Sequence, residues 1–269
     1  LTHSYKNHVR FHDVGGHWRV SFGQVSRPIG SLKEEILATV KLIGDTADKE
    51  LVLFFSGGIE SEAILRACLE IQLKTKIWVI RYANNLNDYD IRYAINFCKS
   101  NNIDFDFIDI DIEKFVNDGI HEEMYKKYNC ISVTFAIVCY LIEQNTDIFP
   151  ILGGNAIYYA HEKDKWIIKT RQSPFAVHYL LEKQNRSGCP DFFHYTPELL
   201  HSYVDHPIFN EMINDAFPLE EVEELKYKSK IYKDLWPDIV LRPKYWGGEK
   251  YWPIANPSVY RTYRDPRWN

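Results

Sequence analysis

The sequence predicts an α/β fold, a doubly wound parallel sheet, continued by a C-terminal mainly helical subdomain. Three observations carry this expectation. Apolar runs of strand length recur at 51–55, 76–82, 104–110 and 148–152. Stretches with helical spacing of apolar residues separate them, which calls for parallel pairing with right-handed crossovers. The first and last of these runs each end in a Gly-Gly pair, at Gly57-Gly58 and Gly153-Gly154. Ligands on such sheets bind beyond the carboxyl ends of the strands, near the point where strand order reverses.

Taken in chain order, the first thirty residues are rich in His, Gly and aromatics, and the alternation His17-Trp18-Arg19-Val20-Ser21-Phe22 predicts an edge strand or half a hairpin. His3, His8, His12 and His17 fit no compact metal-ligand spacing. Ser31 with Glu34 three residues on is a capping box, and Ile36, Leu37, Val40 and Ile43 give the helix behind it a buried stripe. The strand 51–55 then feeds a helix over 60–72, and 76–82 is followed by a helix over 90–100. The third strand, 104–110, leads through a helical region covering 121–143 to the fourth, 148–152. Beyond 156 this alternation stops. Segments 174–183, 197–203, 207–214 and 219–235 read as helices joined by Pro-containing loops. The expected division is an N-terminal strand and helix extension over 1–45, a nucleotide-binding domain over 46–156 and a helical substrate-side subdomain over 157–269.

The chemistry concentrates in Ser56-Gly57-Gly58-Ile59-Glu60-Ser61, which lies where a buried strand turns into a helix. A helix N-terminus carries N–H groups without intrahelical partners and a partial positive charge, so it is a natural anion site. Glycines let a phosphate approach the backbone, Ser56 and Ser61 add hydroxyls, and Glu60 brings a carboxylate suited to a divalent cation on the same phosphates. A Gly-Gly pair alone is an ordinary tight turn; the full hexapeptide in its strand–turn–helix setting is more specific.

This hexapeptide resembles the signature S-G-G-x-D-S of the PP-loop, or N-type, ATP pyrophosphatases. Ser56, Gly57, Gly58 and Ser61 match, and Glu60 stands where the family has Asp. The resemblance covers roughly residues 50–156. It implies a HUP-like, adenine nucleotide alpha hydrolase-like fold. It further implies a loop around the β- and γ-phosphates of ATP with Mg²⁺, and cleavage between the α- and β-phosphates to leave an adenylylated substrate. It also makes Gly153, Gly154 and Asn155 a second nucleotide contact and sets the adenine against Arg81 and Tyr82. In asparagine synthetase-like members, C-terminal lysines and an arginine neutralise the transferring phosphates. Lys228, Lys230, Arg242 and Lys244 resemble those groups, as candidate catalytic cations, and the solvated-face reading stands beside that one for each.

Composition narrows the classes. With 269 residues and 45% hydrophobic content the chain is long enough for a sizeable core. A net charge of −5 gives no bulk attraction to nucleic acid. Five cysteines, odd in number and without a C-x-x-C pair, argue against a disulfide framework and a zinc ribbon. No apolar stretch approaches the length of a membrane span, so a soluble, cytoplasmic protein is expected. Walker A, G-x-G-x-x-G and H-E-x-x-H patterns are absent.

The expected activity is that of an adenylating ligase whose cofactors are ATP and Mg²⁺. Its partner is a small molecule bearing a carboxylate or carbonyl, activated for attack by ammonia from solution or from an ammonia-donating partner. Two alternatives stay open. A sulfur-transferring enzyme would use Cys189, whose neighbouring Arg186 and turn amides would lower the thiol pKa, and beside this stands the preferred reading of Cys189 as a merely structural loop cysteine. A non-catalytic ATP-binding module would be consistent with Glu60 in the Asp position.

Overall fold

The computed structural model describes residues 9–14, 17–22, 24–130, 132–154, 158–162, 165–169, 173–214 and 221–240. β1 (Val9–Val14) and β2 (His17–Phe22) form an antiparallel hairpin in which Val9 pairs with Phe22 and Val14 with His17. α1 (Leu32–Thr46) starts at Ser31, where the hydroxyl and the Glu34 carboxylate cap each other's backbone as the sequence predicts. Such a cap contributes about 1 kcal/mol.

The central sheet contains β3 (Glu50–Phe54), β4 (Lys76–Tyr82), β5 (Asp106–Ile110) and β6 (Ile148–Ile151) in the order β5-β4-β3-β6, all parallel. Both faces of its middle strands are covered, which explains why those strands read as continuous apolar runs. Leu51, Leu53, Phe55, Ile77 and Val79 pack with α1, α2 (Ile59–Glu70) and α3 (Asp88–Ser100). Val52, Phe54 and Trp78 pack on the other face with α4 (Ile112–Asn117), α5 (Ile120–Tyr128), α6 (Val133–Gln144) and α7 (Ser173–Lys183). The doubly wound α/β fold is therefore present.

The winding fixes where a ligand goes. From β3 the chain moves outward to β4 and β5 through α2 and α3 on one face, then returns past β3 to β6 through α4, α5 and α6 on the other. The reversal falls between β3 and β6, whose carboxyl ends carry the two Gly-Gly pairs.

Two local expectations are corrected. The helical region over 121–143 is two helices, because Asn129 takes a left-handed conformation (φ 55°) and ends α5; Asn tolerates that conformation better than most residues. After residue 156 the chain is not helical at once. β7 (Tyr158–Glu162) and β8 (Lys165–Lys169) pair antiparallel. Two aromatic or β-branched runs separated by a short polar pair, Lys163-Asp164, are the hairpin signal in the sequence.

The free edge of β6 is covered by residues 189–192. Cys189 bridges Ile151 in parallel, its N–H donates to Pro150 O (2.7 Å), and the Leu152 N–H donates to Cys189 O (2.8 Å). Pro150 has no N–H to offer, which is why it is tolerated only at such a margin. α8 (Pro197–Val204), α9 (Pro207–Asn214) and α10 (Glu221–Leu235) come next in the chain. Leu199, Tyr203, Phe209, Ile231 and Tyr232 join the same core as Ile36 of α1 and Ile64 of α2. No helix among the described residues is long and apolar enough to cross a membrane.

Candidate functional site

The site is built at the mouth of β3. Phe55 continues the strand by donating its N–H to Trp78 O (2.8 Å), and the chain then turns through Ser56, Gly57 and Gly58 into α2. Gly57 has φ +73°, and a Cβ there would lie 2.6 Å from the Ala94 backbone nitrogen of α3. Its glycine requirement thus comes from left-handed geometry and a neighbouring helix, and not only from a ligand. Gly58 is the extended N-cap residue, and no side chain caps the first turn of α2. The N-terminal amides of that turn lie at the sheet's carboxyl edge, where the Gly58 N–H reaches Ser56 Oγ at 3.4 Å.

The serines divide their roles. Ser61 is buried, and its hydroxyl donates to Gly58 O (2.9 Å), closing the turn. Ser56 is exposed, with its Oγ 3.3 Å from Ser61 Oγ. Ser56 is thus the hydroxyl turned to solvent.

The second Gly-Gly pair closes against the first. A Cβ on Gly153 would stand 3.3 Å from the Ser61 nitrogen. Gly154 has φ +80°, and a Cβ there would collide with Asp191 Oδ1 at 2.1 Å. Asp191 and His194 are both buried, and Asp191 Oδ2 lies 2.7 Å from His194 Nδ1. Ser61, Gly153, Gly154, Asp191 and His194 thus form a continuous line of contacts beside the carboxyl ends of β3 and β6.

From the far end of the chain, α10 places Lys228 Nζ 3.2 Å from Glu60 Oε1, across 168 residues of sequence. The Lys228 side chain is only 7% exposed and that of Glu60 24%, so this lysine is not part of a solvated face. Lys230, two residues on, points elsewhere: its Nζ is 3.9 Å from Glu211 Oε2 and 5.0 Å from the Tyr227 ring centroid. The structure does not bring Lys230 to the loop, because residues two apart on a helix lie on different faces. Asn155, Arg242 and Lys244 lie outside the described residues.

Arg81 and Tyr82 end β4 as expected, yet their groups are engaged. The Arg81 guanidinium grips Asp109 (2.6 and 2.9 Å) and lies 4.1 Å from the Phe107 ring centroid. That hydrogen bonding holds the Asp109 carboxyl below the usual carboxylate range. The Tyr82 N–H donates to Asn87 Oδ1 (2.8 Å), while Asn87 Nδ2 donates to Ile80 O (2.9 Å).

Cys189 fits the structural reading and not the reactive-thiol alternative. Its side chain is fully buried, and burial first, then the nearby Asp191 charge, push the thiol well above its ordinary pKa. Arg186 is turned away, donating to Ile142 O (2.6 Å) and Asn145 O (2.7 Å). A thiol so placed is a poor nucleophile.

Two features are not evident from the sequence. Arg66 Nε donates to Glu62 Oε1 (2.9 Å), and its two terminal nitrogens clasp Asp238 (2.9 and 2.8 Å), tying the chain beyond α10 to α2. The spacing of Glu62 and Arg66 is the visible signal for half of it. The Asp191–His194 pair has a weaker signal, an Asp following Pro190 with His three residues later.

No family model matches this chain, and no curated protein matches it. Two solved structures align with 80% of it. NMN synthetase from Francisella tularensis is 15% identical, covered over 100% of its length, with a TM-score of 0.35. The NH3-dependent NAD synthetase from Campylobacter jejuni subsp. jejuni NCTC 11168, solved with a nitrate ion, is 13% identical, covered over 97%, with a TM-score of 0.35. Likeness at this level leaves the chemistry to the chain's own residues.

Proposed function

We propose that this chain is an ATP-dependent adenylating enzyme of the PP-loop kind, which cleaves ATP to AMP and pyrophosphate and activates a carboxylate or carbonyl oxygen for a nitrogen nucleophile. The observation that carries the proposal is the Lys228–Glu60 pair. A lysine from α10 is buried at the first turn of α2, beside amides that no side chain caps. Burying an ammonium is costly unless negative charge meets it. Glu60 meets it in this structure, and a triphosphate on the same turn would set further negative charge beside the same ammonium.

Position assigns the roles. The amides of the first turn of α2 and the Ser56 hydroxyl would bind phosphate oxygens. Lys228 would stabilise charge developing on the departing pyrophosphate, where a fixed cation acts most strongly. Gly153 lets the β6 turn close on Ser61 and fixes the width of the crevice. A partly exposed carboxylate at the phosphate end is a hard oxygen donor, and Mg²⁺ on nucleotides needs only one or two of these. Glu60 would therefore hold Mg²⁺, which when bound offsets phosphate charge. With the leaving group supplied by ATP, the protein contributes positioning and charge.

A second reading has its own support. In this structure Glu60 and Lys228 bond each other, as they would in a module that binds ATP without cleaving it. One assay separates the two: purified protein with Mg²⁺, labelled ATP, ammonium chloride and a panel of small carboxylates. Adenylation yields AMP and pyrophosphate, and K228M lowers that yield by about 10²-fold, the scale for losing one charge-stabilising group. ADP and phosphate as sole products overturn the proposal, and ATP binding with no cleavage by any panel member favours the second reading.

A further inference from the structure

Asp191 is held in an arrangement that its fold does not account for. It occupies the N-cap position of the short turn Phe192–His194, yet its side chain makes no cap hydrogen bond there. One carboxylate oxygen, Oδ2, is taken by His194 Nδ1 at 2.7 Å. The other, Oδ1, is buried with no hydrogen-bond partner among the described residues, and it lies against Gly154 where a Cβ would be 2.1 Å away. A buried acceptor left unmatched costs free energy, and a carboxylate costs more than a neutral group. The next two residues, Phe192 and Phe193, are buried and pack edge to face (ring centroids 5.3 Å apart), so Asp191 sits at the border of an apolar cluster, where the local dielectric is low. Gly154 and then Gly153 separate it from the Ser61 backbone, the edge of the phosphate loop.

We propose that Asp191, oriented by His194, is a subsite for a small nitrogen cation, ammonium or a protonated primary amine, set beside the phosphate loop. The inference rests on the adenylation reading for its purpose, since it would place the nitrogen donor next to the α-phosphate end of the crevice. Charge decides the class of ligand: a carboxylate against a loop built for phosphate repels a second anion and favours a cation. Number of ligands decides its kind. Among the described residues no three His, Cys, Asp or Glu side chains gather to hold a metal ion, whereas an N–H donor needs one well-placed oxygen and is satisfied by Oδ1.

The test uses the full chain. Crystals are soaked in thallium(I) acetate, an anomalous scatterer close to ammonium in size and charge. In parallel, thermal unfolding is followed in ammonium chloride against sodium chloride at equal ionic strength, and binding of a non-hydrolysable ATP analogue is measured on the same samples. The expected results are an anomalous peak at Asp191 Oδ1 and a rise in unfolding midpoint specific to ammonium. D191N loses that rise and keeps its affinity for the analogue. No peak there, a peak only elsewhere, a water in its place, or an undiminished ammonium response in D191N overturns the assignment. If D191N does not fold, the wild-type crystals decide alone. Failure to bind the analogue in the wild type counts against adenylation and is read separately from the cation peak.

Discussion

The two glycine pairs at the crevice look alike in sequence and are constrained by different things. Gly57 gives way to the backbone of α3, an element of the fold. Gly153 and Gly154 give way to Ser61 and Asp191, which meet where the ends of β3 and β6 come together. Both pairs come after a buried parallel strand, at the carboxyl ends of β3 and β6. The difference teaches that a glycine in a phosphate-loop motif is not evidence of close ligand approach until its neighbours are known. At the first pair the open feature is the uncapped helix turn; at the second it is the contact surface.

The largest effect is expected at Gly57. In G57A a non-glycine residue at φ +73° costs roughly 1–3 kcal/mol, and forcing a methyl against the Ala94 backbone adds roughly 1–3 kcal/mol of overpacking. The relevant Cβ position is 2.6 Å from a nitrogen that cannot rotate away. Denaturant unfolding should show a stability loss of about 2–6 kcal/mol, the sum of those two terms. A loss well under 1 kcal/mol would show that α3 yields, and the contrast between the pairs would break.

How far the sequence reveals this is clearest from the same residues. The hexapeptide 56–61 and the strand-then-Gly-Gly repeat locate the crevice because they depend on local chemistry: strand, turn, helix start. Lys228 is legible as a positive group, but its helical neighbour Lys230 carries the same signal and turns to Glu211. Only the phase of α10 against α2 separates them, and that is set by core residues such as Ile231 and Tyr232 meeting a distant part of the chain. Asp191 is hidden in the sequence for a related reason. Its importance comes from residues 189–192 adding to the edge of β6, a pairing across nearly forty residues that no local pattern announces. The same contact makes Cys189 misleading in sequence, because edge pairing buries it.

A smaller and more selective effect is expected at Gly154. The backbone strain in G154A is of the same kind, about 1–3 kcal/mol, yet the atom in the way is a carboxylate oxygen that rotation of Asp191 removes from the clash. Stability should therefore fall less than in G57A. The rotated carboxylate would no longer meet His194 Nδ1, so the ammonium-specific rise in unfolding midpoint should vanish with it. The same rise persisting in G154A would mean that Asp191 is not held by this contact.

The smallest effect on folding, and the sharpest test of the comparison, belongs to Gly153. Its φ is not in the left-handed region, and an added Cβ would stand 3.3 Å from the Ser61 nitrogen, tighter than usual by a few tenths of an ångström. The cost of G153A should stay near 1 kcal/mol, about the lower end of overpacking. That small push nevertheless falls on the first turn of α2, whose amides are the proposed phosphate ligands, and hydrogen-bond strength declines steeply with misalignment. Affinity for an ATP analogue should thus drop about tenfold, or about 1.4 kcal/mol, while the unfolding midpoint barely moves. Equal losses in binding and stability would place Gly153 with Gly57 as a residue of the scaffold. Binding lost with stability kept makes the β6 turn the wall that sets the width of the nucleotide crevice.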